Sequence, residues 1–158
     1  MELILITGCS GRIGRAIIEK YQGKNVKIVG FDIVPPKFSQ PNFEYMKMDL
    51  LSDKSIGAVL QQVKDKYGTH VASFIHLAAY YSFDGGRWDL YQKLSIDATK
   101  ELMELMKSEF QCEQFLFSSS MLAMEPCKSV MQPLTEESPM SDAWEYPKSK
   151  KICEEFLL

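Results

Sequence analysis

Three glycines near the start constrain this chain more than any other feature. Gly8, Gly11 and Gly14 follow a short apolar run, Leu3 to Thr7, and lead into an amphipathic stretch from Arg12 to Gln22. A continuous apolar run bounded by turn residues reads as a parallel strand buried on both faces. Strand, glycine turn and helix in that order open a βαβ unit. Gly8 lets the chain turn sharply out of the strand. Gly11 keeps side-chain bulk away from a pyrophosphate, and Gly14 lets the helix pack close to the sheet. The backbone amides of the loop and helix start, which carries Ser10, Arg12 and Ile13, then face an anion, and the helix dipole assists them. Three turn glycines without a ligand are the competing reading; the flanking strand and helix weigh against it. The spacing is GxxGxxG, not the GxGxxG of the usual dinucleotide fingerprint.

The remaining sequence keeps alternating. Val26 to Phe31, Phe43 to Met48, Val71 to His76 and Phe115 to Ser118 read as further strands. Ser52 caps a helix predicted from Asp53 to about Lys66. Trp88 to Lys107 is a long helix with Leu90, Leu94, Ala98, Leu102 and Leu105 along one stripe. Trp144 to Leu158 is the last helix. Tyr80 to Arg87, with Gly85-Gly86, is a loop; so is Met121 to Ala143, which holds Pro126, Pro133 and Pro139. Strands alternating with helices predict an α/β fold, a doubly wound parallel sheet with helices on both faces. A length of 158 residues suits one domain with a sizeable core. The net charge of −3 offers no electrostatic reason to bind nucleic acid or an anionic membrane. Cys9, Cys112, Cys127 and Cys153 have neither CxxC nor metal-ligand spacing, so reduced thiols and no metal are expected. The N-terminus lacks a basic region and a long apolar core, and no apolar run reaches membrane-spanning length, so a soluble cytoplasmic protein is expected.

Several residues are candidates for chemistry. Asp32 ends the second strand, where a carboxylate can accept both ribose hydroxyls of an adenosine and repel a 2′-phosphate. That favours NAD over NADP, although Arg12 in the loop is itself a possible phosphate ligand. Asp49-Leu50, after the third strand, is placed to meet the adenine ring. Tyr146 and Lys150 lie one helical turn apart and share a helix face. A phenol titrating near ~10 is a poor base at neutral pH. One positive charge at about 4 Å, at an effective dielectric of about 20, is worth roughly 4 kcal/mol. That is enough to let Tyr146 serve as acid or base near neutrality. A surface pair with no role is the alternative, and it loses ground because Ser118-Ser119-Ser120 and the glycine loop occur in the same chain.

Together these residues resemble a known family. The run Thr7-Gly8-Cys9-Ser10-Gly11-Arg12-Ile13-Gly14, the strand-end Asp32, Asp49-Leu50, His76-Leu77-Ala78-Ala79, Phe115 to Ser120 and Tyr146-x-x-x-Lys150 occur in the order seen in extended short-chain dehydrogenases/reductases, the NAD-dependent epimerase/dehydratase family. The resemblance covers essentially the whole chain. It implies a Rossmann-type sheet, here truncated before its last strands and before a substrate domain. It implies a coenzyme site that includes Leu77, Ala78, Ala79 and Lys150, with Lys150 holding the nicotinamide ribose hydroxyls. It implies catalysis by Ser120, Tyr146 and Lys150, with Ser120 orienting the substrate oxygen and Ser119 as the fallback. His76 is expected to shape the pocket. A homodimer through helices 88–107 and 144–158 is implied as well, and the apolar end Phe156-Leu157-Leu158 would suit such a contact. The family often has Val-Tyr-Gly where this chain has Met121-Leu122-Ala123, and Asn-Val-x-Gly-Thr where it has Ser95-Ile96-Asp97-Ala98-Thr99. Both departures loosen any carry-over of nucleotide-sugar specificity. The segment Ala78 to Phe83 is also unusually aromatic.

Two functions compete on these grounds. One is an enzyme acting on a small hydroxyl or keto substrate by hydride transfer: epimerase, dehydratase or dehydrogenase. The other is a non-catalytic NAD(H) sensor, for which Ser120, Tyr146 and Lys150 would be superfluous. A piece of the enzyme that is inactive alone, binding NAD weakly, is a third expectation.

Overall fold

The computed structural model describes residues 1–82 and 84–158. Phe83, which falls in the expected Tyr80–Arg87 loop and in the aromatic segment, lies outside the described residues. The chain divides into two compact units, residues 1–78 with 101–118 and residues 79–100 with 119–158.

The first unit holds the sheet. Its strands are β1 (Glu2–Thr7), β2 (Val26–Asp32), β3 (Phe43–Lys47), β5 (Ser73–His76) and β7 (Phe115–Phe117), in the order β3-β2-β1-β5-β7. All pairings are parallel, with Thr7 in register with Phe31 on one side and His76 on the other. This is the parallel sheet expected from the alternating pattern, in the Rossmann-type form that the family resemblance implies. The strand order reverses between β1 and β5, and in such sheets ligands bind beyond the carboxyl ends of the strands at that switch point.

β1 is buried along its length after Glu2 because it is the central strand. Its side chains alternate between the two sheet faces. Ile4 and Ile6 join Ile18 of α1 (Arg12–Lys20), Cys9, Val26, Ile28 and Ile75 in one apolar cluster. Leu3 and Leu5 point to the other face and are equally buried. α2 (Asp53–Tyr67) starts where expected: the Ser52 hydroxyl accepts the Ser55 amide, and Gly68 ends the helix at a φ of 83°. It buries Ile56, Val59, Leu60 and Val63, spaced as one helix face requires.

The expected fourth strand, Val71 to His76, divides at Ala72. β4 (His70–Val71) pairs with β6 (Gln111–Cys112) in a separate two-stranded sheet, and only β5 joins the main sheet. The segment stays extended but changes partners, which side-chain periodicity does not report.

The second unit holds the first part of the long helical run. Trp88–Leu90 (α3) is α-helical, Tyr91–Asp97 is a π-helix, and α-helix resumes as α4 (Ala98–Glu109), whose residues from Glu101 onward belong to the first unit. This corrects the single long α-helix. The Ser95 carbonyl lies within the π turn and accepts both the Thr99 hydroxyl and the Cys153 thiol, the latter at 3.4 Å. Side-chain donors at a helix carbonyl compete with the regular ladder. The wider turn advances the phase of the helix, so the buried positions are Tyr91, Ser95, Ile96, Ala98, Thr99, Leu102 and Met106. Leu90, Leu94 and Leu105 of the predicted stripe are only half-buried. The segment after the serines is mostly irregular, as the prolines predict. It contains one 3-10 turn, Met121–Ala123, and an isolated antiparallel bridge between Met124 and Met140. α5 (Glu145–Leu157) closes the chain; Phe156 and Leu157 are half-buried and only Leu158 is fully exposed. Among the described residues no helix is long and apolar enough to cross a membrane.

Candidate functional site

In the first unit the glycine loop sits at the carboxyl end of β1. Gly8 has a φ of 72°, and a Cβ there would lie 3.0 Å from the Ala78 nitrogen. Glycine is therefore required twice over, by backbone conformation and by space. At Gly14 a Cβ would lie 2.4 Å from the Gly8 carbonyl oxygen, so the first turn of α1 touches the strand exit directly. Gly11 is the N-cap, and a Cβ there would meet the Gly8 oxygen at 3.3 Å.

Much of the loop is held from within. The amides of Gly8 and Cys9 donate to the Phe31 carbonyl, and that of Gly11 donates to Gly8. The Ser10 amide donates to Asp32 Oδ2 at 3.1 Å, and the Ser10 hydroxyl donates to the Val34 carbonyl at 2.6 Å. Burial pushes the Cys9 thiol up to about 11, so it remains an apolar filler beneath the loop. The amides of Arg12 and Ile13 open the helix, where no intrahelical acceptor exists. α1 has no side-chain N-cap and no acidic residue in its first turn. An exposed helix start of that kind suits an anion.

Asp32 is half-buried. Its Oδ2 accepts the Ser10 amide and its Oδ1 the Val34 amide at 3.2 Å. A carboxylate has about four lone-pair sites, so each oxygen retains capacity for a hydroxyl. Asp49 is engaged in the backbone around it. Its Oδ1 accepts the Leu51 amide, its carbonyl accepts the Ser52 amide and its own amide donates to the Ser55 hydroxyl. These bonds close the turn before α2. Leu50, beside it, is half-buried.

Beyond β5, the Thr7 hydroxyl accepts the amides of Leu77 and Ala78, each at 3.2 Å, and lies 2.6 Å from His76 Nδ1. A hydroxyl has one proton and two acceptor sites. With both acceptor sites taken, Thr7 donates to Nδ1, which places the ring proton of a neutral His76 on Nε2. Thr7 and His76 are both about 1% exposed, so this is a core polar unit that ties β1 to the Leu77-Ala78 turn. Sequence reasoning assigned Thr7 no role; its position directly before the first glycine was the only signal.

The second unit contains Ala79, Ser120, Tyr146 and Lys150. Tyr146 and Lys150 lie on one face of α5, with the Lys150 ammonium 5.8 Å from the Tyr146 ring centroid. The phenol ring is surrounded by aromatics: Tyr81 edge-on at 4.8 Å, Trp144 at 5.7 Å and Tyr91 at 6.4 Å. Lys150 is only 3% exposed, and burial lowers its pKa from 10.5 to about 8, partly offset by Cys153 and Glu154. It is still mostly protonated at neutral pH. Ser120 caps the 3-10 turn, its hydroxyl accepting the Leu122 amide at 3.2 Å. That hydroxyl keeps its proton for donation. The Ser119 hydroxyl instead donates to the Glu154 carboxylate. The neighbouring serines thus differ: one anchors to α5 and the other keeps a donor. Glu154 was not foreseen, although its place one turn after Lys150 was a signal.

Comparison with known proteins bears on the family and the fold. The pattern of the NAD dependent epimerase/dehydratase family matches residues 4–158. The sterol-4-alpha-carboxylate 3-dehydrogenase ERG26 of Candida albicans is 28% identical over 130 residues, covering 76% of this chain and 35% of that protein. Among solved structures, the UDP-Glc/GlcNAc 4-epimerase of Campylobacter jejuni superposes with a TM-score of 0.80 at 22% identity, covering 99% of this chain and 48% of that one. A short-chain dehydrogenase/reductase superfamily protein of Agrobacterium tumefaciens with bound NAD gives 0.79 at 23% identity, covering 99% and 44%. The chain spans 38% and 35% of the lengths of the curated relatives it matches. A family match over residues 4–158, running from the first strand to the last helix, shows that this chain belongs to the NAD dependent epimerase/dehydratase family.

Proposed function

We propose that this chain carries the coenzyme and proton-transfer residues of an NAD-dependent enzyme that acts on a small hydroxyl or keto substrate, as epimerase, dehydratase or dehydrogenase. The observation that carries the reading is the glycine cradle. Gly14 has no room for a Cβ, and the uncapped start of α1 has no acidic residue to repel a pyrophosphate. Several related structures contain NAD, including those from Agrobacterium tumefaciens and Bordetella bronchiseptica.

In this reading the amides around Gly8, Ser10, Gly11, Arg12, Ile13 and Gly14 hold the pyrophosphate. Asp32 accepts the adenosine ribose hydroxyls and opposes a 2′-phosphate, which favours NAD over NADP. Asp49 and Leu50 border the adenine, and Leu77, Ala78 and Ala79 border the rest of the dinucleotide. NAD, when bound, accepts a hydride from the substrate carbon. Ser120 donates a hydrogen bond to the substrate oxygen and orients it. Tyr146 takes the hydroxyl proton as the carbonyl forms and returns it in the reverse direction. Lys150 stabilises the resulting phenolate charge and binds ribose hydroxyls. By resemblance the working form is a homodimer through helices 88–107 and 144–158.

The test joins binding to turnover. Calorimetric titration with NAD is expected to show at least about ten-fold weaker binding in Asp32→Ala, the loss of a charged hydrogen-bond acceptor. In the full-length protein, Tyr146→Phe is expected to keep NAD binding and to abolish turnover of a panel of sugar nucleotides and hydroxysterols, read both as NADH release and as converted product. Turnover that survives Tyr146→Phe would refute the catalytic assignment, and an Asp32→Ala variant that binds NAD unchanged would refute the coenzyme site.

A further inference from the structure

Tyr81 is held in place from both sides. The Tyr80 amide donates to the Ser95 hydroxyl at 3.1 Å, and the Ser82 amide donates to the Tyr91 hydroxyl at 3.2 Å. Both acceptors belong to the π-helical turn Tyr91–Asp97, and both are buried. Gly86, with a φ of 70°, packs against the same residues: a Cβ there would lie 2.9 Å from the Ser82 Cβ and 3.1 Å from the Tyr91 ring. A residue between two anchored amides has little backbone freedom to lose, so the Tyr81 ring is set before a ligand arrives. That ring is 42% exposed. It meets the Tyr146 ring edge-on at 4.8 Å and the Trp144 ring at 6.4 Å, while Trp144 lies 5.7 Å from Tyr146.

We propose that Tyr81 and Trp144 are specificity-determining residues: they form an aromatic platform beside Tyr146 that takes a secondary alcohol, or its ketone, carried on an apolar saturated ring. The inference rests on Tyr146 being the reacting phenol. The rings packed around that phenol are Tyr81, Trp144 and Tyr91, and the Tyr91 hydroxyl is already engaged by the Ser82 amide. Aromatic faces attract C–H groups by dispersion and by removing apolar surface from water. A ring bearing hydroxyls around its edge would give up water contacts against such faces without replacing them. An apolar ring gives up none, and its single reacting oxygen is served by Tyr146 and Ser120. The π-helical turn thereby gains a role in recognition, because its Ser95 and Tyr91 side chains fix the loop that presents Tyr81.

The test reads affinity, not turnover. The full-length protein is titrated calorimetrically, with and without NADH, with a 3-ketosteroid and separately with UDP-glucose. The steroid is expected to bind at least about ten-fold more tightly than UDP-glucose. Tyr81→Ala and Trp144→Ala are each expected to weaken steroid binding about ten-fold. Tyr81→Phe, which keeps the ring, is expected to retain the wild-type affinity, which separates loss of the platform from a general loss of fold. Unchanged steroid affinity in Tyr81→Ala or in Trp144→Ala overturns the platform. UDP-glucose binding as tight as the steroid or tighter, or no steroid binding at all, overturns the substrate class. Turnover that survived Tyr146→Phe would refute the catalytic reading instead, and these affinities would stand apart from it.

Discussion

Lys150 loses solvation by being buried, and the cost has a definite pH signature. Its folded pKa of about 8 lies below the unfolded value of 10.5. The unfolded chain therefore binds more protons between those values, and stability contributed by this residue rises with pH across that window. Below about 8 the full penalty applies, on the order of 3 kcal/mol. Replacing Lys150 by Met is expected to raise the melting temperature at pH 7 and to flatten the rise between pH 8 and 10. Thermal unfolding of both proteins over that range decides it; parallel pH profiles would contradict the burial argument. Such a destabilised residue within a helix suits a binding site, since a ligand contact to the ammonium recovers part of what folding gave up. Thr7 shows the opposite economy: all three hydrogen-bonding positions of its hydroxyl are used, and it ties together two strand ends.

At the scale of elements, the junction of β1, the glycine loop and α1 leaves no space for a further atom. Gly14→Ala would put a methyl group 2.4 Å from the Gly8 oxygen and 2.8 Å from the Cys9 Cα. Both obstacles are backbone, so the helix itself must move, with an expected loss of about 1–3 kcal/mol. Chemical denaturation should show that loss, together with weakened NAD binding; a Gly57→Ala control faces nothing within 4 Å and should be neutral or stabilising. The π-helix is the second element with a specific cause. Its Ser95 carbonyl serves the Thr99 hydroxyl and the Cys153 thiol, so the wider turn is part of how α5 is held within its unit.

For the molecule as a whole, sedimentation equilibrium is expected to give twice the chain mass if the two-helix dimer forms; a single-chain mass would discard that assembly. The five main strands, the Ser52 cap and the glycine contacts were all legible beforehand. They depend on near neighbours: backbone sterics at Gly8, a hydroxyl reaching Ser55, and two-residue or 3.6-residue periodicity. Four other features were not legible. The split at Ala72 depends on which strand β4 finds as partner. The π turn depends on donors from Thr99 and Cys153, the latter 58 positions beyond Ser95. The Thr7–His76 bond joins residues 69 apart, and that between Ser119 and Glu154 joins residues 35 apart. The order of elements and the candidate residues Gly8, Gly14, Asp32, Tyr146 and Lys150 thus followed from sequence alone, because local conformation and spacing are written in adjacent residues. Which hydroxyl is anchored, which cation is buried and where the helix widens were decided by tertiary structure. Burial and long-range hydrogen bonds exist only after distant segments have met.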